Sequence, residues 1–324
     1  MKHDGKLIVL AYPDTFVKMS DELLCKFLPL VGLGTRHYIK AGHAALVLIS
    51  NATGLAEYYD FGRYVTPNGL GRVRSAVTDT ELHIPIKAKL DSQGSLANAN
   101  EFLLWLDANP DKTHGSGRLL ASICDRIDYS KSRNYILALQ ERGSIPYGAF
   151  AKQGSNCSRF VAETLLAGTS DPKIIKRLNW NKKFTPSTVG NVEKAATESN
   201  IFEVHKGTVK PFSGSALKEN LRNYFDKKHG KSKQNGLPAK PTATAQCLSG
   251  IGSSAWFDLS ANESNNNTFV IKRFNELGTL DFQGVFKAND ILRVDKPYKF
   301  VYDSHCAVCH IEQDQRLIRL EIIH

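Results

Sequence analysis

The chain has 324 residues, longer than one ordinary domain and long enough to bury a sizeable core, so one large domain with an appendage, or two domains, is expected. Hydrophobic residues make up 42% and charged residues 23%, a globular composition that excludes general disorder. Part of the formal net charge of +10 gathers between Lys218 and Lys240, where Tyr224 and Phe225 are adjacent and not interleaved as single-strand stacking needs, so the run reads as a solvated linker and nucleic acid is a minor alternative.

The opening MKHDGKLIVLAYPDTF holds an apolar run that breaks at Pro13, too short for a signal-peptide core or a membrane span; a cytoplasmic chain is expected. Lys6 to Tyr12 reads as a buried strand, and Pro-Asp-Thr separates it from a helix, SDELLCKFLPLVG, capped by Ser20. HYIKAGHAALVLIS is apolar enough for a central strand. With the turn Asn51-Ala-Thr-Gly54 and LAEYYDFGRYV it forms a β-hairpin. TPNGLGRVRS then connects to a further strand, ELHIPIKAKL. ANANEFLLWLDANP has helical spacing, with Phe102, Leu103, Trp105 and Leu106 on one face and Pro110 closing it. YSKSRNYILALQERG and SRFVAETLLAG are helices ended by Gly143 and Gly168.

From Asp171 to about Phe225 helix and loop are expected. The Lys- and Pro-rich stretch ending at Pro241 lacks apolar periodicity and marks the clearest boundary. Beyond it SAWFDL, NTFVIKRF, LDFQGVF, YKFVYD and RLIRLEII alternate as strands. The expected organisation is α+β, with a domain at 1–225, a basic Pro/Lys linker at 226–244 and a small β-rich domain at 245–324.

Six cysteines, Cys25, Cys124, Cys157, Cys247, Cys306 and Cys309, are few for this length and read as reduced thiols. Cys157 stands where the loop GSN feeds an amphipathic helix, so unpaired backbone N–H groups and the helix dipole favour its thiolate. The plain alternative is a small buried cysteine beginning a core helix. His43, in GHAALVLI at the mouth of the central strand, is the candidate base, since a thiol nucleophile needs one within hydrogen-bond reach. Taken alone, it could be a structural histidine. Across the hairpin His43 falls opposite Phe61 or Gly62, which makes Asp60 the nearest acidic side chain and Glu57 the next; Asp60 could equally partner Arg63. His114 is a reserve histidine.

The order GHAALVLI, a hairpin, then Tyr147-Gly148, a short loop and NCSRFV resembles the circularly permuted branch of the NlpC-type papain-like hydrolases, the YiiX-like and lecithin-retinol-acyltransferase-like relatives, over about residues 5 to 170. YYDFGRY after the GHA strand is similar to bacterial proteins of that type. The resemblance implies an antiparallel half-barrel sheet packed on the Cys-bearing helix, with thiolate and imidazole meeting in the groove between them. It implies a third polar residue on the strand after the histidine, for which Asp60 is chosen. It also implies a side-chain oxyanion donor upstream of the cysteine, for which Tyr147 is chosen ahead of Gln153 and Asn156, beside the Cys157 backbone N–H.

Two other motifs compete. Cys306-x-x-Cys309-His310 has the pattern of haem attachment or half a zinc site, with Cys247 and His305 available but unmotivated by spacing; both cysteines on opposite faces of a strand is the third reading. THGSGRLLAS, from Thr113 to Ser122, could cradle phosphate at a helix start but lacks a P-loop lysine. No cofactor and no metal are expected. The expected function is a cysteine hydrolase acting on a peptide-, amide- or acyl-containing substrate through an acyl-enzyme; the alternative is a non-catalytic papain-like binding protein. A cytoplasmic location argues against direct action on the cell wall unless the protein leaves by another route.

Overall fold

The computed structural model describes residues 3–19, 22, 27–148, 151–183, 186–197, 200–227, 240–262 and 267–323. Most of the helix expected after Ser20, and Lys228, Lys231 and Lys233 of the basic run, lie outside those residues; Leu28–Val31 is a single 3-10 turn.

Strand β1 (Gly5–Tyr12) is apolar on both faces, which suits only a central strand: Leu7, Val9 and Ala11 enter one core, Ile8, Leu10 and Tyr12 the other. β2 (Val17–Lys18) and β3 (Tyr38–Ile39) form a small separate pair. β4 (His43–Ser50) and β5 (Ala56–Gly62) make the expected hairpin, with Ala45 opposite Asp60. β6 (Leu70–Arg74) follows, then helices α1 (Ala99–Ala108) and α2 (Pro110–Thr113), β7 (Leu119–Ile127), α3 (Tyr129–Glu141), β8 (Ile145–Pro146) and α4 (Cys157–Gly168). α5 (Pro172–Asn181), α6 (Thr188–Ala195), β9 (Ile201–His205), β10 (Thr208–Pro211) and α7 (Ala216–Tyr224) complete the first unit. Its eight-stranded sheet runs β10-β9-β7-β1-β4-β5-β6-β8, paired antiparallel throughout. Helices α3 to α6 cover the Leu7 face through Ile136, Phe160, Leu165, Leu178 and Val192, while α1 covers the other through Phe102, Leu103 and Leu106.

Several expectations require correction. ELHIPIKAKL is not a ladder strand: Thr80–Leu82 is a 3-10 turn, and beyond it Ile84, Ile86, Ala88 and Leu90 pack on the second core side by side chain alone. Alternation there records one buried face, and Pro85 removes a donor that a ladder would need. The strand is instead LGRVR within the segment read as a connection. THGSGRLLAS leads into β7 and not into a helix, so no helix N-terminus exists there to cradle phosphate. Asp171 to Phe225 contains two strands, β9 and β10, besides its helices. Gly168 does not take a left-handed conformation; it sits against Ser132 of α3, where a side chain has no room, and Thr169 caps the helix. Gly143, by contrast, has φ +63° and ends α3 as expected.

The second sheet contains β11 (Gln246–Leu248), β12 (Ala255–Ala261), β13 (Thr268–Phe274), β14 (Leu280–Ala288), β15 (Lys299–Val301), β16 (Val308–Gln313) and β17 (Arg316–Ile322), in the order β11-β12-β13-β14-β17-β16-β15. It curls until its edges meet. The Gln246 amide bridges them, donating to the Tyr298 carbonyl at 3.1 Å and accepting from the Phe300 N–H at 2.9 Å, around a core of Phe257, Ile271, Phe286, Phe300 and Leu320.

The two sheets abut along the loop between β5 and β6 and the loop after β6. Gly252 N–H donates to the Arg63 carbonyl at 2.8 Å and Val65 N–H to the Ser253 carbonyl at 3.0 Å. A buried charge chain accompanies them: Arg72 grips Asp79 with bonds of 2.7 and 2.8 Å, and Arg273 of β13 lies 3.2 Å from the same carboxylate.

Candidate active site

The apolar residues of α4 fix how Cys157 is presented. Phe160, Val161 and Leu165 anchor the helix in the core, and Asn156 caps it by accepting the Arg159 N–H at 2.8 Å. Cys157 is therefore the first helical residue, with 7% of its surface exposed. His43 is the first residue of β4, so its ring stands at the end of the sheet where the helix begins, stacked on its cross-strand neighbour Tyr12 at 6.3 Å.

The His43 imidazole and the backbone N–H groups of Ala44 and Ser158 lie close to the sulfur. Burial alone would raise the thiol pKa; those partners reverse it and bring it below its ordinary value. Burial likewise would lower the His43 pKa, but hydrogen bonds and charge from Asp60 and Cys157 raise it to about 9. The geometry favours a thiolate beside an imidazolium.

Asp60 meets this pair from the hairpin, because the register that sets it opposite Ala45 puts it on the same face two residues from His43. Its Oδ2 is 3.4 Å from His43 Nε2, and Arg74 donates Nε to Oδ1 at 2.9 Å and Nη2 to Oδ2 at 2.5 Å. Tyr58 adds a hydroxyl donor at 3.1 Å. Burial would raise this carboxyl; Arg74, with His43, holds it far below the ordinary carboxylate range. Tyr147 stacks on Phe61 at 5.9 Å, and its hydroxyl lies close to Cys157. Burial and the charge on Cys157 push that phenol well up, so it remains a donor.

The structure thus brings Cys157, His43, Asp60 and Tyr147 together. Glu57 lies elsewhere, accepting from Tyr129 at 2.7 Å and Tyr59 at 3.0 Å. Gln153 offers its carbonyl to Arg142, and Asn156 is the helix cap. His114 stacks on Tyr64 at 4.8 Å, where burial and then Arg74 lower its pKa to about 3, leaving a neutral ring away from the sulfur.

Sequence reasoning missed Arg74, Tyr58 and Tyr64. The signal was present in GRVRS, whose arginines alternate with an apolar residue as on a strand. Arg74 is 1% exposed and also sits 3.7 Å over the Tyr64 ring. A cavity of about 280 Å³ opens beside His43 and Tyr147, lined also by Arg63, Tyr64, Phe16 and, from the loop between β11 and β12, Ile251 and Gly252.

Among the described residues no group of three or more His, Cys, Asp or Glu side chains could hold a metal ion. Cys306 precedes β16 and accepts from Arg273 at 3.3 Å, whereas Cys309 lies within β16 and its thiol bonds the His305 carbonyl at 3.4 Å.

Comparison with known proteins gives two family matches. A family model described as "Type VI secretion system effector TseH-like" matches residues 7–174, more than half of the chain, and the "DUF6695 C-terminal domain" matches residues 245–323. A solved structure titled as that of the type VI secretion system effector TseH is 19% identical, covering 65% of this chain and 98% of its own, with a TM-score of 0.44. No curated protein matches the chain.

Proposed function

The chain belongs to the type VI secretion system effector TseH-like family, and from that premise we propose that it is a delivered cysteine hydrolase of permuted papain-like fold that cleaves a peptide, amide or acyl bond through Cys157. One observation carries the reading. A helix-initial thiol meets an imidazole whose far nitrogen faces a buried, arginine-held carboxylate. A core cysteine has no need of such partners.

In this reading Cys157 is a thiolate and His43 an imidazolium before substrate arrives. The sulfur attacks the carbonyl carbon, forming a C–S bond as the carbonyl π electrons move to oxygen. The Cys157 backbone N–H and the Tyr147 hydroxyl are the donors for that oxyanion. Collapse breaks the bond to the leaving amine, alcohol or thiol, which takes the His43 proton. Water then gives a proton to His43 as it attacks the thioester, and the acid product departs with the thiolate restored. Asp60 keeps the ring oriented and its charge supports the imidazolium.

The division at 226–244 belongs to the same proposal, with the first part carrying the chemistry and the last contributing a wall of the cleft. No helix among the described residues is long and apolar enough to cross a membrane. Delivery by a secretion machine would supply the other route out of the cytoplasm and make cell-wall amides accessible as substrates.

Intact-protein mass spectrometry after mixing with p-nitrophenyl acetate tests the proposal. An acetyl adduct on Cys157 should build and decay with a burst of p-nitrophenolate, vanish in Cys157→Ser and form about a hundredfold more slowly in His43→Ala. A folded protein that forms no adduct would leave the groove as a binding site without turnover.

A further inference from the structure

The cavity beside His43 and Tyr147 is one-sided in charge. Among the described residues its lining includes two basic residues, Arg63 and Lys18, and no Asp or Glu; Asp60 is fully buried and held by Arg74. Arg63 is fixed in place. Its Nη2 donates to the Lys18 carbonyl at 2.8 Å, and its guanidinium carbon stands 4.7 Å from the centre of the Tyr147 ring, on which it stacks. Its backbone is pinned as well, since its carbonyl accepts the Gly252 N–H at 2.8 Å. Among the described residues the guanidinium meets a carbonyl and a ring but no carboxylate, and one of its five donors is engaged.

A half-buried guanidinium held rigid beside the ring whose hydroxyl meets the nucleophilic sulfur is preorganised for a planar anion. Resting on the reading of Cys157 as the nucleophile, we propose that Arg63 is a specificity-determining residue that binds a carboxylate of the substrate, so that the natural substrate is an acidic peptide or acyl compound with a carboxylate close to the scissile bond. The other walls suit such a molecule. Phe16, Tyr64 and Tyr147 offer aromatic faces to a carbon skeleton, and Ile251 with Gly252 closes the far side. A Cβ on Gly252 would stand 2.8 Å from the Tyr64 ring, so the second sheet approaches as closely as backbone allows.

Iodoacetate and iodoacetamide differ by one charge at nearly equal size. The rates at which each alkylates Cys157 in the full chain, followed by mass spectrometry, give a selectivity ratio from which the thiolate fraction cancels. That ratio should fall about tenfold in Arg63→Gln and stay within about threefold of the original in Arg63→Lys. In the unsubstituted protein glutarate should protect Cys157 from iodoacetamide saturably, and glutaramide should not. An unchanged ratio in Arg63→Gln, or equal protection by the two compounds, overturns the role of Arg63 and leaves the nucleophile intact. Slow alkylation by both reagents, at the rate of an ordinary thiol, overturns the nucleophile reading and this inference together.

Discussion

Asp60 is bound more closely by Arg74 than by His43: the guanidinium holds both carboxylate oxygens, at 2.9 and 2.5 Å, while the imidazole nitrogen stands 3.4 Å away. The carboxylate is anchored first and lent to the histidine second. Asp60→Asn therefore leaves a buried guanidinium without its counter-charge, and urea unfolding should show a loss of about 3–5 kcal/mol. Arg74→Met should cost a similar amount, and the double substitution much less than the sum. A loss below about 1 kcal/mol in Asp60→Asn would mean that Arg74 finds water or another partner.

The opposite shifts of Cys157 and His43 have a pH signature. His43 is raised from 6.5 to about 9, so its contribution is fully present below pH 6.5 and fades as pH rises through about 9. Cys157 is lowered from 9.0, so its contribution is present above pH 9.0 and fades as pH falls toward its folded value. Between those limits the two contributions run in opposite directions, so the stability of the parent changes less with pH than either group alone would make it. In Cys157→Ser the Cys157 contribution is gone, and His43 keeps only the part of its shift that Asp60 supplies. The difference in unfolding free energy between that variant and the parent should thus grow as pH rises from 6.5 toward 9, as measured by urea midpoints. A difference independent of pH would contradict the coupling.

At the junction of the sheets Asp79, 1% exposed, pairs with both Arg72 and Arg273, and Arg273 also meets Glu81 at 3.3 Å. Asp79→Ala leaves the buried Arg72 without a carboxylate, while Arg273 keeps Glu81, and should cost about 3–5 kcal/mol, whereas Arg273→Leu leaves the Arg72 pair whole and should cost clearly less. Chemical denaturation of the two variants gives the order, and the reverse order would place the essential charge on β13.

Asn156→Ala removes the cap of the cysteine helix and the acceptor of the Arg159 N–H. About 1 kcal/mol of stability should be lost. Since the first turn that presents Cys157 then frays, alkylation should slow as well; unchanged reactivity would separate the cap from the presentation of the thiol.

The parts of the site legible in the sequence were those set by local rules. A loop feeding an amphipathic helix placed Cys157 at its start, and two-residue periodicity across a short turn set Asp60 near His43. Arg74 was hidden because its partner is reached only once β6 pairs with β5. β7 was hidden because a glycine-bearing lead-in looks the same before a strand as before a helix, and its central position depends on β1 and β9, both far away in sequence. The segment after Leu82 misled in the other direction, since one buried face produces alternation whether or not a ladder forms. In the last unit the alternating pattern identified most strands, but closure by the Gln246 side chain has no pattern to announce it.

The rate of Cys157 alkylation by iodoacetamide as a function of pH, in the parent protein and in His43→Ala, tests the central claim most directly. A thiolate–imidazolium pair predicts a fast rate already level from about pH 5 upward and lost in the variant. A slow rate that climbs through about pH 8.5 and ignores the substitution would show an ordinary thiol and contradict the account.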